Sequence, residues 1–467
     1  MTSSHLVVGA AGMLLAIGLV MVFSAASIKA ALADQPAWRP GVDQLVYATI
    51  GFAAALVAVR LPIALVRRWA PVALLVSLGL LLLVAVPGIG MELNGSRAWF
   101  DLGFGTFQPS EVGKLALALW GAHVLALRAG YLTVRSLLVP LVPVFLVMCA
   151  LLMAQPDFGA MVTLSLVLCG LLLAAGAPWR IWLVFLGTGA VAVVVLVTAA
   201  PYRMQRWTSF LDPFADPTDS GFQAIRGFYA LSSGGFWGVG LGNSAMKWNL
   251  LPEAESDYIF AIIGEELGLL GCLVVVALYG VLAAAGFRIA RRSADRFVQM
   301  ASVAITVWLV GQAAMNMGYV VGLGPVTGVT LPLISAGGTS LVLTLFIAGL
   351  LLRFARSEPE AIEHLRRRES GRLARALLPV PARAVDPVRL RPRRRPEEPA
   401  RPARRPAGPG ARTVVRVPPA SAGAAPRERA PAPRDRRGSD RSRAGEARRQ
   451  PPPRARAGAP DVPRRPR

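Results

Sequence analysis

The stretch LGLLGCLVVVALYGVLAAAGF, residues 267–287, contains 21 consecutive residues without a charged side chain. A helix rises about 1.5 Å per residue, so this stretch is long enough to cross a hydrocarbon layer of about 30 Å. It is preceded by the acidic sequence PEAESD, residues 252–257, and followed by Arg288, Arg291 and Arg292. We therefore predict a membrane-spanning helix over residues 257–287 whose basic end faces the cytoplasm.

Nine further segments of the chain are similarly apolar and similarly long. Their approximate ranges are 6–28, 43–61, 70–89, 109–127, 136–155, 159–177, 180–200, 297–321 and 334–353. In lipid the backbone must satisfy its own hydrogen bonds, so each segment is expected to be a helix. The sequence predicts an all-α, polytopic integral membrane protein with about ten transmembrane helices in residues 1–355, and it excludes a soluble enzyme.

The positive charge of the chain is concentrated in its last quarter. The 467 residues have a net charge of +23, yet the first 352 carry 18 basic and 15 acidic side chains, whereas the last 115 carry 32 basic and 12 acidic ones. Residues 356–378 are expected to form a basic amphipathic surface helix, and residues 379–467, rich in Arg, Pro and Ala, a disordered tail. Such a tail fits anionic lipid or an acidic protein partner, or is simply a solvated extension; nucleic acid is a minor alternative.

The loops that follow the second, fourth, sixth and eighth segments hold most of the basic residues of the membrane region. The positive-inside rule makes these loops cytoplasmic and predicts that both termini are cytoplasmic as well. Four connections then lie on the outer face, at about residues 88–108, 155–157, 201–256 and 324–333. These connections contain the unusual polar residues, so we expect the chemistry on the outer face.

Three charged residues lie at the predicted outer ends of two helices. Glu111 and Lys114 are three residues apart in the first turns of one helix, so they can form an ion pair; this pair either fixes packing or has a function. Asp157 follows Pro156 in a tight turn, where Lys114 is its nearest expected cation. A simple turn-capping role is the alternative for Asp157.

Asp257 is the last of three alternating carboxylates before the helix quoted above. Ser256 is expected to cap that helix, and capping is also the simplest role for Asp257 itself. The helix N-terminus favours the ionised form of Asp257, whereas burial and the nearby Glu255 oppose it, and a carboxylate balanced in this way can act as a general base.

The remaining polar residues within spans suggest no metal centre. Glu265 and Glu266 share one span, and Gln312 and Asn316 lie four residues apart on another, so interhelical hydrogen bonding is their expected role. The three cysteines fall in apolar runs and there are only three histidines, so neither a disulfide framework nor a histidine metal site is expected.

Five motifs resemble, in order, the signatures of the SEDS family of proteins of shape, elongation, division and sporulation. They are Gly95-Ser96-Arg97-Ala98-Trp99; Gln108-Pro109-Ser110-Glu111 with Lys114; Gln155-Pro156-Asp157-Phe158-Gly159; SSGGFWGVGLGNSAMKWNLLPEAESDYIFAIIGEELGLLG from Ser232; and GPVTGVTLPLISAGGTS from Gly324. The resemblance covers about residues 6–355. Within the family, the chain most resembles the division-specific FtsW branch, in an actinobacterial style. The elongation-specific RodA branch is the alternative.

The resemblance implies a ten-helix peptidoglycan glycosyltransferase that polymerises lipid II on the outer face of the cytoplasmic membrane, at the division septum. It would work with other division proteins and with a class B penicillin-binding protein that cross-links the strands. By the same resemblance Asp257 is the catalytic residue, and the substrate-binding positions are Arg97, Glu111, Lys114 and Asp157, with Arg97 and Lys114 as the candidates for the diphosphate. The supporting positions are Glu255, Ser335, Gly337 and Gly338. A divalent cation, Mg²⁺ or Mn²⁺, could bridge Asp257 or Glu111 to the diphosphate.

Three positions depart from the family pattern. Ala98 stands where an arginine is common, which weakens a paired-arginine clamp; Glu255 stands where histidine is frequent; and Ala336 replaces a frequent tyrosine. Two other classes of function stay open at this point. A lipid II flippase would need ionisable residues along a path through the membrane, and a scaffold would act through the tail alone.

Overall fold

The computed structural model describes residues 3–367 apart from 94, 104, 131, 132, 200, 220 and 249. The helices of this part are α1 (Ser3–Leu32), α2 (Arg39–Arg60), α3 (Ile63–Val84), α4 (Pro109–Arg128), α5 (Val134–Ala154), α6 (Phe158–Ala174), α7 (Trp179–Thr198), α8 (Pro201–Leu211), α9 (Phe222–Gly234), α10 (Ile259–Arg292), α11 (Arg296–Val320), α12 (Gly338–Arg356) and α13 (Pro359–Arg367). The tail predicted for 379–467 lies outside the described residues, as do residues 368–378 of the predicted surface helix.

All ten predicted spans are helices, namely α1 to α7 and α10 to α12, so the predicted fold class is confirmed. Eight of these helices are long and apolar enough to cross a membrane. The other two are α6, which has 17 residues, and α4, which carries Glu111 and Lys114 near its start. Consecutive spans run in opposite directions, so the starts of α4, α6, α10 and α12 lie at one end of the bundle, which we call the site end.

Small residues allow the central helices to pack closely. A Cβ at Gly170 of α6 would lie 2.6 Å from the Cα of Ala304 on α11, and a Cβ at Gly349 of α12 would lie 2.5 Å from the Ala55 carbonyl oxygen on α2. Both distances are too short for a side chain, so these helices touch through their backbones, as is common between membrane helices. The close packing buries α11, including Trp308, in the middle of the bundle.

Helix α10 is broken near its start, which the sequence did not predict. Gly268 has φ 68° and ψ −168°, a conformation that is essentially restricted to glycine. The chain after α9 bonds to this break, since Leu269 N donates to the Gly235 carbonyl at 3.0 Å and Val239 N donates to the Glu265 carbonyl at 2.9 Å. The long predicted span is therefore two helical pieces joined at Gly268.

The connections at the site end contain secondary structure where the sequence predicts only loops. Between α3 and α4 a small antiparallel sheet is formed by β1 (Met91–Leu93), β2 (Ser96–Asp101) and β3 (Thr106–Phe107), in that order. The predicted long loop 201–256 contains α8 and α9. These helices have 11 and 13 residues, too few to cross a membrane, so a search for long apolar runs does not detect them.

Candidate active site

Asp257 lies in the turn before α10, and neighbouring elements hold its backbone. Asn316 Nδ2 and Tyr319 Oη, both on α11, each donate to the Asp257 carbonyl oxygen at 2.9 Å. One residue earlier, Ser335 Oγ donates to the Ser256 carbonyl oxygen at 2.6 Å. No hydrogen bond or ion pair from a described residue reaches the Asp257 carboxylate. The residue is thus fixed through its peptide, while its carboxylate is available to a ligand.

The surroundings of the Asp257 carboxyl disfavour its charge. Burial, the largest effect, and the nearby carboxylates of Glu253 and Glu255 raise its pKa from 3.8 to about 6, while Arg206 acts in the opposite direction. The prediction that Glu255 raises the pKa of Asp257 is confirmed, although Glu253 contributes more. A carboxyl with such a pKa is ionised at neutral pH and is still basic enough to accept a proton.

The predictions that Ser256 and Asp257 cap α10 are wrong. The helix begins at Ile259, Tyr258 is its capping residue, and no side chain bonds to the first amides. The cause is a tight turn in which Tyr258 N donates to the Glu253 carbonyl oxygen at 3.1 Å. This turn directs Ser256 Oγ to Glu253 Oε2, at 2.7 Å, and away from the helix.

Glu111 and Lys114 form the ion pair that their spacing predicts. Lys114 Nζ lies 2.8 Å from Glu111 Oε1, and the lysine side chain is only 2% exposed. The ammonium group also lies 5.1 Å from the centre of the Trp308 ring, a distance at which a cation interacts favourably with an aromatic face. The Lys114 charge is therefore already compensated by these two groups.

Asp157 caps α6 and bonds to the start of α4. Its Oδ1 accepts from Ala160 N and its Oδ2 accepts from Gln108 Nε2, both at 2.9 Å. Burial raises the pKa of Asp157, and these two bonds together with the Lys114 charge oppose the rise. The turn-capping alternative is confirmed, and Lys114 is the cation that acts electrostatically on Asp157, although its salt bridge is with Glu111.

Arg97 projects from β2, and its guanidinium lies 3.1 Å from the Glu92 carboxylate of β1. One third of its side chain is exposed, so the pair lies at the surface. The adjacent Ser96 Oγ donates to the Gln155 carbonyl oxygen at 2.6 Å and so ties the small sheet to the turn before Asp157. Arg97 is therefore close to the Asp157 turn, and it has no contact with Asp257 in the structure.

One extended segment, residues 327–329, lies between the two groups of predicted residues. A Cβ at Gly159 would lie 2.7 Å from the Thr327 carbonyl oxygen, and a Cβ at Gly328 would lie 3.6 Å from Asp257 Oδ2. The structure thus brings Glu111, Lys114 and Asp157 to one side of the segment and Asp257 to the other. The predicted convergence of the outer connections is confirmed, but the residues form two adjacent clusters.

The predicted supporting residues surround the Asp257 turn. Ser335 Oγ also accepts from Leu331 N at 2.8 Å, and Ala336 N donates to the Glu255 carbonyl oxygen at 2.8 Å. Glu255 is paired with Lys29 at the end of α1, which moderates its charge. Gly337 precedes α12, and a Cβ at Gly338 would lie 2.8 Å from the Tyr47 ring. The contacts of Ser335 and of the Glu255 backbone hold the turn in place, whereas Gly338 packs against Tyr47 of α2.

Two features of the site end escaped the sequence reasoning. Arg206 of α8 acts electrostatically on Asp257. A basic residue in an outer connection goes against the positive-inside rule, and this was the available signal. The second feature is a buried ion pair in which Lys247 Nζ lies 3.1 Å from Glu266 Oε1. Interhelical bonding was expected for Glu266 and is present, since Ser24 Oγ of α1 donates to it at 2.7 Å.

The prediction of interhelical hydrogen bonds is wrong for Glu265, Gln312 and Asn316, although all three are hydrogen-bonded. Glu265 accepts from Ser244 Oγ and from Ala245 N in the segment after α9. Gln312 Nε2 donates to the Thr330 carbonyl oxygen at 3.0 Å, and Asn316 Nδ2 donates to that of Val329 at 2.7 Å. Most of these bonds therefore go to the site-end connections and not to a second helix.

Comparison with known proteins gives a consistent result over the membrane region. Residues 4–360 match the family model described as FtsW, RodA and SpoVE, cell cycle protein. A protein of Mycobacterium tuberculosis named "Probable peptidoglycan glycosyltransferase FtsW" is 44% identical over 389 residues, which cover 83% of this chain and 74% of the relative. Stage V sporulation protein E of Bacillus subtilis is 39% identical over 346 residues, covering 74% of this chain and 94% of the relative.

Solved structures agree with these relatives. One is described as "Structural coordination of polymerization and crosslinking by a peptidoglycan synthase complex"; it is 31% identical with a TM-score of 0.63 and covers 76% of this chain and 98% of its own. The crystal structure of the rod shape determining protein RodA of Thermus thermophilus is 29% identical with a TM-score of 0.57, and covers 76% of this chain and 96% of its own. The family-model match over residues 4–360 contains all ten spans, apart from Ser3 at the start of α1, and both clusters at the site end.

Proposed function

The chain belongs to the FtsW, RodA and SpoVE family of cell cycle proteins, and from this premise we propose that it is a peptidoglycan glycosyltransferase that polymerises lipid II, with Asp257 as its general base. The observation that carries the assignment to Asp257 is the combination of a fixed backbone, a carboxylate without a partner among the described residues, and a pKa of about 6. A general base must be ionised before the reaction and must then accept a proton, and these properties meet both requirements.

The reaction needs one base and compensation for one leaving anion. The 4-hydroxyl of the acceptor sugar loses its proton to Asp257 as its oxygen bonds to the anomeric carbon of the donor. The bond from that carbon to the phosphate oxygen breaks at the same time, and undecaprenyl diphosphate leaves with the electron pair. A single displacement inverts the anomeric carbon and forms no covalent enzyme intermediate, so a second catalytic carboxylate is not needed.

We propose that the cluster of Arg97, Glu111, Lys114 and Asp157 shapes the substrate site next to Asp257. Its buried bonds support a positioning role, because the Lys114–Glu111 pair and the Asp157 cap fix the starts of α4 and α6. Of the two cations predicted to bind the anion, Arg97 is more exposed than Lys114. It could exchange its Glu92 partner for a phosphate at small cost, because surface ion pairs contribute little free energy.

We propose that a divalent cation, which the sequence resemblance allows, would be held mainly by the diphosphate of the substrate. The described residues contain no group of three or more metal-ligating side chains. Magnesium is often held by one or two carboxylates together with substrate phosphates. An ion bound to Asp257 would oppose the proton uptake that the proposed base requires, and Glu111 is already bound to Lys114, so neither carboxylate fits such an ion in this structure.

We further propose that the chain belongs to the division branch, that both of its termini are cytoplasmic, and that it works with a cross-linking partner. Several relatives with 39% to 44% identity are named FtsW, which supports septal synthesis, and the RodA-like elongation role is the alternative. The end of the bundle opposite the site end carries most of the basic residues of the connections, which supports cytoplasmic termini. The synthase complex of similar fold couples polymerisation to cross-linking, which supports a class B penicillin-binding protein as partner. The arginine-rich tail would bind anionic lipid or an acidic partner.

A lipid II flippase is the competing function, and the positions of the buried charges argue against it. In the described residues the buried ionic side chains are Lys114, Lys247, Glu265 and Glu266 near the site end and Arg356 and Glu358 at the opposite end. Between these two levels the described part of the bundle has buried hydroxyl groups, such as those of Ser77 and Thr306, and no buried ionic side chain. A path for a charged headgroup would need ionisable groups at that middle level.

The test is polymerisation of lipid II by the purified protein with its penicillin-binding partner, with products sized by gel. We expect glycan polymer from the wild type and none from Asp257→Asn. Asp101→Asn is the matched control, because Asp101 is an exposed carboxylate at the end of β2 whose side chain accepts a hydrogen bond only from Gly103 N among the described residues. Polymer formation by a folded Asp257→Asn variant would overturn the role of Asp257, and absence of polymer from the wild type would overturn the function.

A further inference from the structure

A cavity of about 470 Å³ opens at the site end between α8, α9 and the end of α11. Its polar lining residues include Gln205, Arg206 and Ser209 from α8 and Gln223 from α9. Its apolar wall includes Phe210, Phe228 and Val326. We call it the Arg206 cavity. It combines one cation, several neutral polar groups and the carboxylate of Asp219, which accepts a hydrogen bond from Gln205, with an apolar side.

The Arg206 cavity lies directly against the Asp257 turn. Tyr319 forms part of the cavity wall, and its hydroxyl donates to the Asp257 carbonyl oxygen at 2.9 Å. Arg206 Nη1 lies 3.5 Å from the carbonyl oxygen of Val326, in the segment that continues to Gly328 beside the Asp257 carboxylate. The cavity and the surroundings of Asp257 therefore share Tyr319 and the segment that runs from Val326 to Gly328.

Arg206 differs from the other cations named at the site end because it forms no ion pair with a described carboxylate. The charged groups that act on Asp257 are Glu253 and Glu255 from its own segment and Arg206 from α8. Lys29 is bound to Glu255, and the two cations of the neighbouring cluster are bound to Glu111 and Glu92. The described structure gives Arg206 no carboxylate within ion-pair distance. Asp219, which also lines the cavity, accepts a bond from Gln205 at 3.3 Å.

We propose that the Arg206 cavity binds the diphosphate of the lipid-linked sugar donor, with Arg206 as the residue that contacts the anion. The proposal rests on the proposed function, in which a diphosphate must leave next to the base. Arginine suits this task because its planar guanidinium makes two parallel hydrogen bonds to a phosphate. The apolar wall suits the first isoprene units, which follow the diphosphate on the same lipid.

A cation at this position would help in the transition state more than in the ground state. Negative charge accumulates on the phosphate oxygen as the bond to the sugar breaks, and an arginine placed beforehand stabilises that charge. Its second effect is on the base, because Arg206 favours the ionised form of Asp257 against Glu253 and Glu255. Loss of Arg206 should therefore change both binding of the anion and the pH dependence of the rate.

The first measurement is binding, which does not depend on turnover. Undecaprenyl diphosphate is added to the purified full-length protein, and the increase in thermal stability is recorded against concentration. We expect saturable stabilisation of the wild type, an affinity about tenfold to a hundredfold lower for Arg206→Gln, and an intermediate value for Arg206→Lys. Arg226→Gln on α9 is the control, because Arg226 lies 5.0 Å from the Phe222 ring and outside the cavity lining.

The second measurement is the pH profile of polymerisation. Removing Arg206 takes away the one charge that lowers the pKa of Asp257, so the acidic limb of the profile should move to higher pH in Arg206→Gln and stay in place in Arg226→Gln. A purely structural role of Arg206 would reduce the amount of active protein without moving this limb. Addition of inorganic pyrophosphate tests the headgroup alone, and it should inhibit the wild type more strongly than Arg206→Gln.

The outcomes separate this inference from the proposed function. Equal binding of undecaprenyl diphosphate by the wild type and Arg206→Gln would overturn the inference, and so would absence of binding to the wild type. Binding that depends on Arg206 in a wild type that makes no polymer would support the site and overturn the proposed function. Polymerisation with unchanged lipid II dependence and an unchanged acidic limb in Arg206→Gln would leave the function standing and overturn the role of Arg206.

Discussion

Replacement of Asp257 by asparagine should stabilise the protein at neutral pH while it abolishes polymerisation. Altering a residue that serves the fold lowers the stability of the protein. Altering a residue kept for catalysis often raises it, because the native residue costs stability. Asp257 belongs to the second kind in this structure, because no described group bonds to its carboxylate and the surroundings disfavour its charge. Asparagine has nearly the same shape and carries no charge.

The magnitude follows from the raised pKa of Asp257. The difference between the ordinary value of 3.8 and the value of about 6 in the folded protein corresponds to about 3 kcal/mol of unfolding free energy. The side chain is only partly buried and solvent screens part of this effect, so we expect a gain of about 1 to 3 kcal/mol. The hydrogen bonds that Asn316 and Tyr319 donate go to the Asp257 carbonyl oxygen and do not involve the Asp257 side chain, so they should remain in Asp257→Asn.

The sign of the pH dependence is fixed by the direction of this pKa change. Between pH 3.8 and about 6 the folded state binds more protons at Asp257 than the unfolded state does, so the stability of the wild type falls as pH rises through this range. The penalty is complete above about pH 6 and absent below about pH 4. The gain of Asp257→Asn should therefore be largest at pH 7 to 8 and should disappear as the pH falls to about 4.

The assay is thermal unfolding of the detergent-solubilised protein at several pH values between 4 and 8. Asp101→Asn serves as control and should change the unfolding free energy by less than about 0.5 kcal/mol, because Asp101 is exposed. A lower stability of Asp257→Asn at every pH would refute the reasoning. It would mean that the carboxylate makes a stabilising contact and that its ionised form is favoured in the fold.

Three further predictions concern the same end of the protein. Lys247→Met should lower the unfolding free energy by about 3 to 5 kcal/mol because it leaves Glu266 charged and buried, and the double variant Lys247→Met, Glu266→Gln should recover most of this loss in denaturant unfolding. Gly268→Ala should destabilise by at least about 1 to 3 kcal/mol at the break of α10, whereas Gly280→Ala, with no atom within 4 Å of the added Cβ, should change thermal unfolding little. Glu253→Gln should shift the acidic limb of the polymerisation profile to lower pH, because it removes the carboxylate that most raises the pKa of the base; an unshifted limb would contradict the base assignment.

The spans could be predicted because membrane helices depend on a simple and local property. Each needs about 20 apolar residues, and eight of the ten helices show this pattern in full, while α6 is shorter and α4 carries two charged residues. The break at Gly268 could not be read in the same way, because glycine is common in membrane helices and the quoted apolar run continues through it. Only the contact with residues 235–240 requires the unusual conformation at this position.

The site residues were predictable to a different extent. Charges near helix ends indicated Glu111, Lys114, Asp157 and Asp257, since such charges are costly in a membrane protein. Their partners were less predictable, because Gln108, Trp308 and Glu253 are chosen by contacts between distant parts of the chain. Sequence spacing predicts the ion pair of Glu111 and Lys114, which lie three residues apart. It cannot predict hydrogen bonds between residues of different connections.

The levels of the buried groups also indicate how a substrate with a lipid chain and a polar sugar headgroup can be held at this site. Counting about 30 Å back from Arg288 along α10 ends near Gly268, and Ser24 of α1 bonds to Glu266 at the same level. The segment bonded to this level exposes Trp237 by 77%, and tryptophan is enriched where a membrane meets water. Asp257 lies ten residues before Leu267, beyond this boundary in the proposed orientation. The base can then exchange its proton with water, while the apolar wall of the adjacent cavity extends toward the lipid chain that holds the substrate.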